Sequence, residues 1–339
     1  MKFLIVKLSS LGDIVHALPI VNVLRENFSD SQIDWLVAKE GYELLSLIKE
    51  INHVYKFNLD NISCIQKEKY DYIIDAQGLF KSAFISKILS GKTIIGFKKT
   101  REFADLFYDI KVDVGNLFKT SKHIVNLNIE LIAALIRKIP NSIKFLIPKI
   151  TTSEGVGFKI LSSKRRRVVI FPATTWESKM WPLNYWFDII SELSGQFTVF
   201  VCASNSDRIK IEPLISQLNL RNIEYENLTG KTSINDLIYL IQNSNLVIGL
   251  DSFGLHIASA INNDYGSPEV IGIFGPTNLH RNGPYGLLKN CFYLSKLECI
   301  ACRKKRCPLG HHKCMNNIIP SYVKDMIYSK LKNNRLSIC

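Results

Sequence analysis

Three observations predict an α/β protein built from two Rossmann-like domains. Short apolar runs rich in Val, Ile and Phe alternate with helix-spaced segments along the chain, the pattern of βαβ units on parallel sheets. The alternation lapses once, over 139–164, where two prolines, two glycines and many small polar residues gather as in a domain connection. A length of 339 residues is too much for one ordinary core and suits two. The expected domains are 1–150 and 151–339.

In the first domain the candidate strands are 3–7, 33–37, 70–75 and 93–97. Helical stretches fall near 13–27, 41–50 and 79–90, the first two with apolar residues spaced by three and four, and a longer helix over 121–137 closes this half. Alternation resumes with strands at 167–171, 198–202, 246–249 and 270–274 and helices at 183–193, 206–218, 233–243 and 252–261. The two halves echo each other, and two such domains facing a cleft is the economical architecture.

The composition, 47% hydrophobic and 22% charged, is that of a soluble globular protein. No stretch reaches the roughly 20 apolar residues of a membrane span, and the chain opens on a strand without a signal-peptide layout. A cytoplasmic protein with reduced cysteines is therefore expected. The net charge of +13 points to an acidic partner, whether nucleic acid, an anionic membrane face or a phosphorylated substrate, or only to a solvated surface. Basic clusters occur at Lys98, Lys99 and Arg101, at 164–167 and at 303–306, with no aromatics interleaved as a single-strand-binding platform would have.

Ligands of doubly wound sheets bind beyond the carboxyl ends of strands, so functional residues belong at the strand-to-helix turns. The first such turn holds Ser9, Ser10, Gly12 and Asp13. An acid at a helix N-terminus is usually a cap or a dipole partner. Ser9 and Ser10 already offer capping oxygens, so Asp13 is expected to be spared that task and to accept a proton from a substrate hydroxyl, though spacing alone does not decide it. Thr174 and Thr175 follow another strand, where hydroxyls and N–H groups meet phosphates or simply form a turn. Asp251 and Ser252 occupy the next turn, and His256 lies one helical turn on.

Near the C-terminal end, Cys299, Cys302, Cys307 and Cys314 form a C-x2-C-x4-C-x6-C set. Four thiolates in a reduced compartment suit a tetrahedral structural zinc or iron site, with His311 and His312 as alternative ligands. The adjacent 303–306 basic run is expected to lower the thiol pKa values. The other reading is a loop of unligated thiols.

Six stretches in order resemble the lipopolysaccharide heptosyltransferases of glycosyltransferase family 9: "KLSSLGDIVHALP", "YDYIIDAQGLFKSA", "TREFADLFYD", "FPATTWESKMWP", "GLDSFGLHIASAI" and "IFGPTNLHRNGPYG". The resemblance implies a GT-B fold, with acceptor on the N-terminal domain and nucleotide-sugar donor on the C-terminal one. It implies an inverting transfer, needing no metal for catalysis, of heptose from ADP-L-glycero-D-manno-heptose to a Kdo residue of Kdo2-lipid A, at the cytoplasmic face of the anionic inner membrane. The family's general base falls on Asp13 and its diphosphate-stabilising lysine on Lys179. Ser10, Gly12, Thr174, Thr175, Lys179, Asp207, Asp251, Ser252 and His256 fall on the donor side, and Lys81 and Arg101 on the acceptor side.

Two features depart from the heptosyltransferase I pattern: Phe253 stands where that enzyme has glycine, and a dense arginine insertion before Tyr70 is missing. The missing insertion leaves the exact acceptor open; the front motifs favour the first heptose addition, while Phe253 and the cysteine-rich tail, which relatives such as heptosyltransferase II share, pull toward the runner-up: a family 9 enzyme with another acceptor, a heptosylated core or a protein. A rival from another class, a basic metal-stapled nucleic-acid-binding protein, lacks any recognition-helix signature, and no nucleic-acid partner is expected.

Overall fold

The computed structural model describes residues 1–89, 91–117, 120–153 and 165–333. All of the 139–164 connection beyond Ser153, Lys164 included, therefore lies outside the described residues. The chain divides into two compact units, Met1–Pro148 and Lys149–Cys339.

In the first unit β1 (Lys2–Val6), β2 (Gln32–Val37), β3 (His53–Lys56), β4 (Tyr72–Asp75), β5 (Thr93–Phe97) and β6 (Ile110–Val112) form one sheet in the order β3-β2-β1-β4-β5-β6. In the second, β7 (Arg167–Phe171), β8 (Thr198–Val201), β9 (Glu226–Asn227), β10 (Leu246–Leu250), β11 (Glu269–Ile273) and β12 (Cys291–Phe292) are ordered β12-β11-β10-β7-β8-β9. Every described pairing is parallel. Both sheets thus have the doubly wound order, whose direction of winding reverses between β1 and β4 and again between β7 and β10.

Central strands are buried on both faces, and their sequences read as unbroken apolar runs: β1 is Lys-Phe-Leu-Ile-Val and β10 Leu-Val-Ile-Gly-Leu. The edge strands β3, β6, β9 and β12 escape the sequence reading because they are short and only half covered, so no apolar run marks them.

Two helices differ from expectation. The 13–27 stretch forms α1 (Leu11–Ala17) and α2 (Pro19–Asn27), divided at Leu18 because Pro19 has no N–H to continue the ladder. After α3 (Lys39–Ser46), α4 (Leu59–Lys67) and α5 (Phe80–Ile88), the 121–137 helix shortens to α6 (Ile124–Leu131). Past Leu131 the chain tightens into turns, Ile132 N donating to the Ile129 carbonyl and Ala133 N to the Glu130 carbonyl, both at 3.1 Å, and further on Asn27 Oδ1 accepts from Arg137 N at 3.0 Å and Lys138 N at 3.1 Å.

The second unit packs Trp181 and Trp186, ring centroids 4.9 Å apart, beneath its sheet. The helix Pro320–Asn333 closes over this core through Val323, Ile327 and Leu331.

Candidate functional site

Each sheet brings two loops together where its winding reverses. In the first unit these are the turn after β1 and the loop after β4. Gln77 joins them: its Oε1 accepts from Leu8 N and Ser9 N, both at 3.2 Å. The β4 loop is itself fixed by Asp75, fully buried, whose carboxylate accepts from Gln77 N, Gly78 N, the Ser82 hydroxyl and the Tyr108 hydroxyl. Burial pushes the Asp75 carboxyl up, against the opposing effect of those four donors.

Asp13 lies in the first turn of α1 and does take part in capping. Its Oδ2 accepts from Ser10 N at 3.2 Å and from the Ser10 hydroxyl at 2.9 Å. The expectation that the serines would spare it is corrected: Ser10 spends its donors on Asp13 rather than replacing it. The carboxylate is thereby held at the carboxyl end of β1, beside Gly12.

In the second unit the turn after β7 meets the turn after β10. Asp251, His256 and Thr277 form one buried group, which Lys179, 15% exposed, joins from its edge. The Lys179 ammonium lies 2.8 Å from Asp251 Oδ2, and the Thr277 hydroxyl donates to the same oxygen at 2.6 Å. His256 Nε2 lies 2.9 Å from Oδ1. Thr174 ties the two turns together by donating from Oγ1 to the Asp251 carbonyl at 3.1 Å. Burial alone would push the Asp251 carboxyl up, but the Lys179 charge and the His256 bond outweigh it and hold it well below the usual carboxylate range. Lys179 also stands over the Trp176 ring, 4.7 Å from its centroid.

Asp207 adjoins this group through Lys210, whose ammonium lies 2.6 Å from its Oδ1 and donates to the Thr174 and Thr175 carbonyls. Ser252 is the N-cap residue of the helix Phe253–Tyr265. Gly254 follows Phe253 for a packing reason: a Cβ there would come within 2.5 Å of the Phe171 ring. Lys81 is exposed, with its ammonium over the Phe57 ring. Arg101 belongs to the segment Arg101–Phe107, but its side chain lies outside the described residues.

The model of glycosyltransferase family 9 (heptosyltransferase) matches residues 62–313, which take in part of each unit and the cysteine run up to Lys313. The chain belongs to this family.

As a family 9 enzyme it is a glycosyltransferase with the GT-B fold. Lipooligosaccharide heptosyltransferase 2 of Campylobacter jejuni is 27% identical over 340 residues, covering 96% of this chain and 97% of that protein. Lipopolysaccharide heptosyltransferase 1 of Campylobacter coli is 25% identical over 305 residues, covering 83% and 86%. The structure of Escherichia coli heptosyltransferase WaaC with ADP matches with a TM-score of 0.74 at 23% identity, over 97% of this chain and 100% of that one. Both heptosyltransferase types are thus among the relatives of this family 9 chain.

In this heptosyltransferase the cysteine-rich loop clasps the turn that carries Lys179. Ser178 N donates to the Lys305 carbonyl at 3.1 Å, the Ser178 hydroxyl donates to the Lys304 carbonyl, and His312 Nε2 lies 2.6 Å from the Ser178 carbonyl. Cys299, Cys302, Cys307 and Cys314 line one narrow cavity with His311 and His312. Among the described residues, no group of three or more His, Cys, Asp or Glu side chains is arranged to hold a metal ion as it stands. The expected lowering of the thiol pKa values is corrected at Cys314, which burial, reinforced by the neighbouring thiols, pushes up to about 11. Part of the basic run is turned away from the thiols: Arg306 pairs with Glu177 at 3.0 Å.

Gln77, Lys210 and Thr277 were not singled out from the sequence. Only the first carried a signal, a polar residue two positions past the end of β4. The other two are brought in by tertiary structure.

Proposed function

We propose that this glycosyltransferase transfers heptose from ADP-L-glycero-D-manno-heptose to a Kdo residue of Kdo2-lipid A, with inversion at the anomeric carbon. In this reading Asp13 accepts the proton of the acceptor hydroxyl as its oxygen bonds to the anomeric carbon, and the bond to ADP breaks with its electron pair leaving on the diphosphate. Lys179 meets that developing charge with an ammonium already aimed by Asp251 and Trp176. Ser10 and Gly12 adjoin the reacting centre. Thr174, Thr175 and the N-terminus of the helix begun by Ser252 receive the phosphates, His256 steadies Asp251, and Asp207 takes the ribose hydroxyls. Lys81 and Arg101 attract the acidic acceptor.

The observation that carries this reading is the Lys179–Asp251 pair, a partly exposed ammonium on a buried carboxylate, at the point where the second sheet reverses. A cation fixed there suits a diphosphate leaving group. A second acceptor, a heptosylated core, is favoured by one observation: the Campylobacter jejuni relative that covers 96% of the chain bears the name heptosyltransferase 2.

The reading places the enzyme in the cytoplasm, in peripheral contact with the inner membrane. No helix among the described residues is long and apolar enough to cross a membrane. The four thiols that line one cavity have the chemistry of a zinc or iron donor set, and drawn closer together than they stand here Cys299, Cys302, Cys307 and Cys314 would hold the metal as a structural centre. Nothing in the transfer is routed through it.

The test is incubation with ADP-heptose and either Kdo2-lipid A or its mono-heptosylated form, following ADP release and acceptor mass. One heptose increment on Kdo2-lipid A supports the first reading. An increment on the heptosylated acceptor alone replaces it with the second.

A further inference from the structure

The first unit carries an apolar face that the transfer chemistry does not use. On α5, Ser82, Ala83, Ile85 and Ser86 are buried. Phe80, Phe84 and Ile88, each four residues from the next, are 48%, 48% and 38% exposed. Residues four apart share a helix face, so these three form a stripe. The segment Arg101–Phe107 packs beside α5 and leaves Phe103 76% and Leu106 72% exposed. Phe107 knits the surface together, its ring edge-on to Phe80 at 5.5 Å and to Phe84 at 6.2 Å, while Phe80 and Phe84 stack on each other. Single exposed apolar residues need no explanation, but a contiguous patch of aromatic rings does.

The charges around the patch indicate what covers it. At about 100° per residue, Lys87 falls on one border of the α5 stripe and Lys81 on the other, and both are exposed. Lys98 and Lys99 lie just past β5, sharing the single carboxylate of Asp113 at 3.4 and 3.3 Å. The nearby acids serve the backbone and its turn: Glu102 accepts from Phe80 N, and Asp105 is tied to Thr100. Apolar rings bordered by long cationic side chains match a lipid surface with negative headgroups. The rings enter the headgroup–acyl boundary while the lysine stems lie along it and their ammonium groups reach phosphate.

We propose that Phe80, Phe84, Ile88, Phe103 and Leu106 form a docking surface for an anionic phospholipid bilayer. This gives the peripheral membrane contact of the reading above an address on the molecule, and rests on that reading for the source of the lipid.

The test is co-sedimentation of the full chain with vesicles of phosphatidylcholine, with and without phosphatidylglycerol. The comparison is a Phe84→Ser, Phe103→Asn double variant, asparagine being chosen because Phe103 has a positive φ of 56°. The wild type should bind the phosphatidylglycerol vesicles, and the double variant about tenfold less, with an unchanged thermal melt. Phe103→Trp should show a blue shift in emission on vesicle addition. Equal binding by wild type and double variant, or no binding by the wild type, overturns the proposal. So does a wild-type dimer that ignores vesicles and that the double variant abolishes, which would assign the face to a second copy of the chain. Transfer to a detergent-dispersed acceptor is measured in parallel: its failure with vesicle binding intact counts against the transfer reading and not against the docking surface.

Discussion

Lys179 and Asp251, 72 residues apart, meet in an ion pair whose carboxylate is buried and whose ammonium is mostly covered, with Nζ and Oδ2 2.8 Å from each other. Removing one partner of such a pair leaves the other charge desolvated and alone, at a cost of about 3–5 kcal/mol. Lys179→Met should therefore lower both stability and transfer, the latter by about 10² to 10³-fold in kcat. Adding Asp251→Asn should restore much of the melting temperature and none of the activity. Recovery of activity in the double variant would show that Lys179 matters only as a partner for Asp251.

The same pair sets a pH dependence. Asp251 is held below its unfolded value, so its contribution to stability is present above about pH 4 and is lost as pH falls toward the folded value. Asp75, raised by burial, has the opposite sign: its contribution is present at low pH and is lost as pH rises. The useful quantity is the difference between wild type and Asp251→Asn in denaturant melts. The difference should be largest near neutrality and shrink below pH 4. A constant difference would mean that Asp251 is not stabilised as an anion.

Gln77 holds the backbone on which Asp13 is mounted, through Leu8 N and Ser9 N. Gln77→Ala should reduce kcat by about tenfold with little change in donor KM, because it loosens a positioning contact. Gln77→Glu keeps an acceptor and should retain more activity. Equal losses in both variants would point to general damage to the loop.

At Gly254 an added methyl meets the Phe171 ring at 2.5 Å. Gly254→Ala should cost about 1–3 kcal/mol, and Phe171→Leu in the same chain should recover part of it. Urea melts of the two single variants and the double variant measure the coupling.

Much of this architecture was legible because buried parallel strands announce themselves as apolar runs, as in β1, β7 and β10. The short edge strands β9 and β12 have no such signature. The 13–27 reading ran past Pro19, although a proline in a helical pattern interrupts the ladder, and the end of α6 at Leu131 has no nearby proline or glycine to mark it. The turn bearing Asp13 in the first unit and those bearing Thr174 and Asp251 in the second lie at strand ends, where the rule for doubly wound sheets looks for candidate residues. Their partners were not singled out: Lys210 reaches the Thr174 carbonyl from another helix, and Thr277 reaches Asp251 across 26 residues. Asp13 itself shows that a cap and a candidate base can be one carboxylate.

The most direct test is Asp13→Asn, assayed by single turnover with ADP-heptose and Kdo2-lipid A alongside donor binding and a thermal melt. Asparagine keeps an oxygen for Ser10 N and the Ser10 hydroxyl, so the fold should hold within about 1 kcal/mol. The account predicts intact donor binding and a rate lowered by at least about 10²-fold. A folded variant that binds donor and transfers heptose at the wild-type rate would contradict it, leaving Asp13 as a helix cap and the base elsewhere.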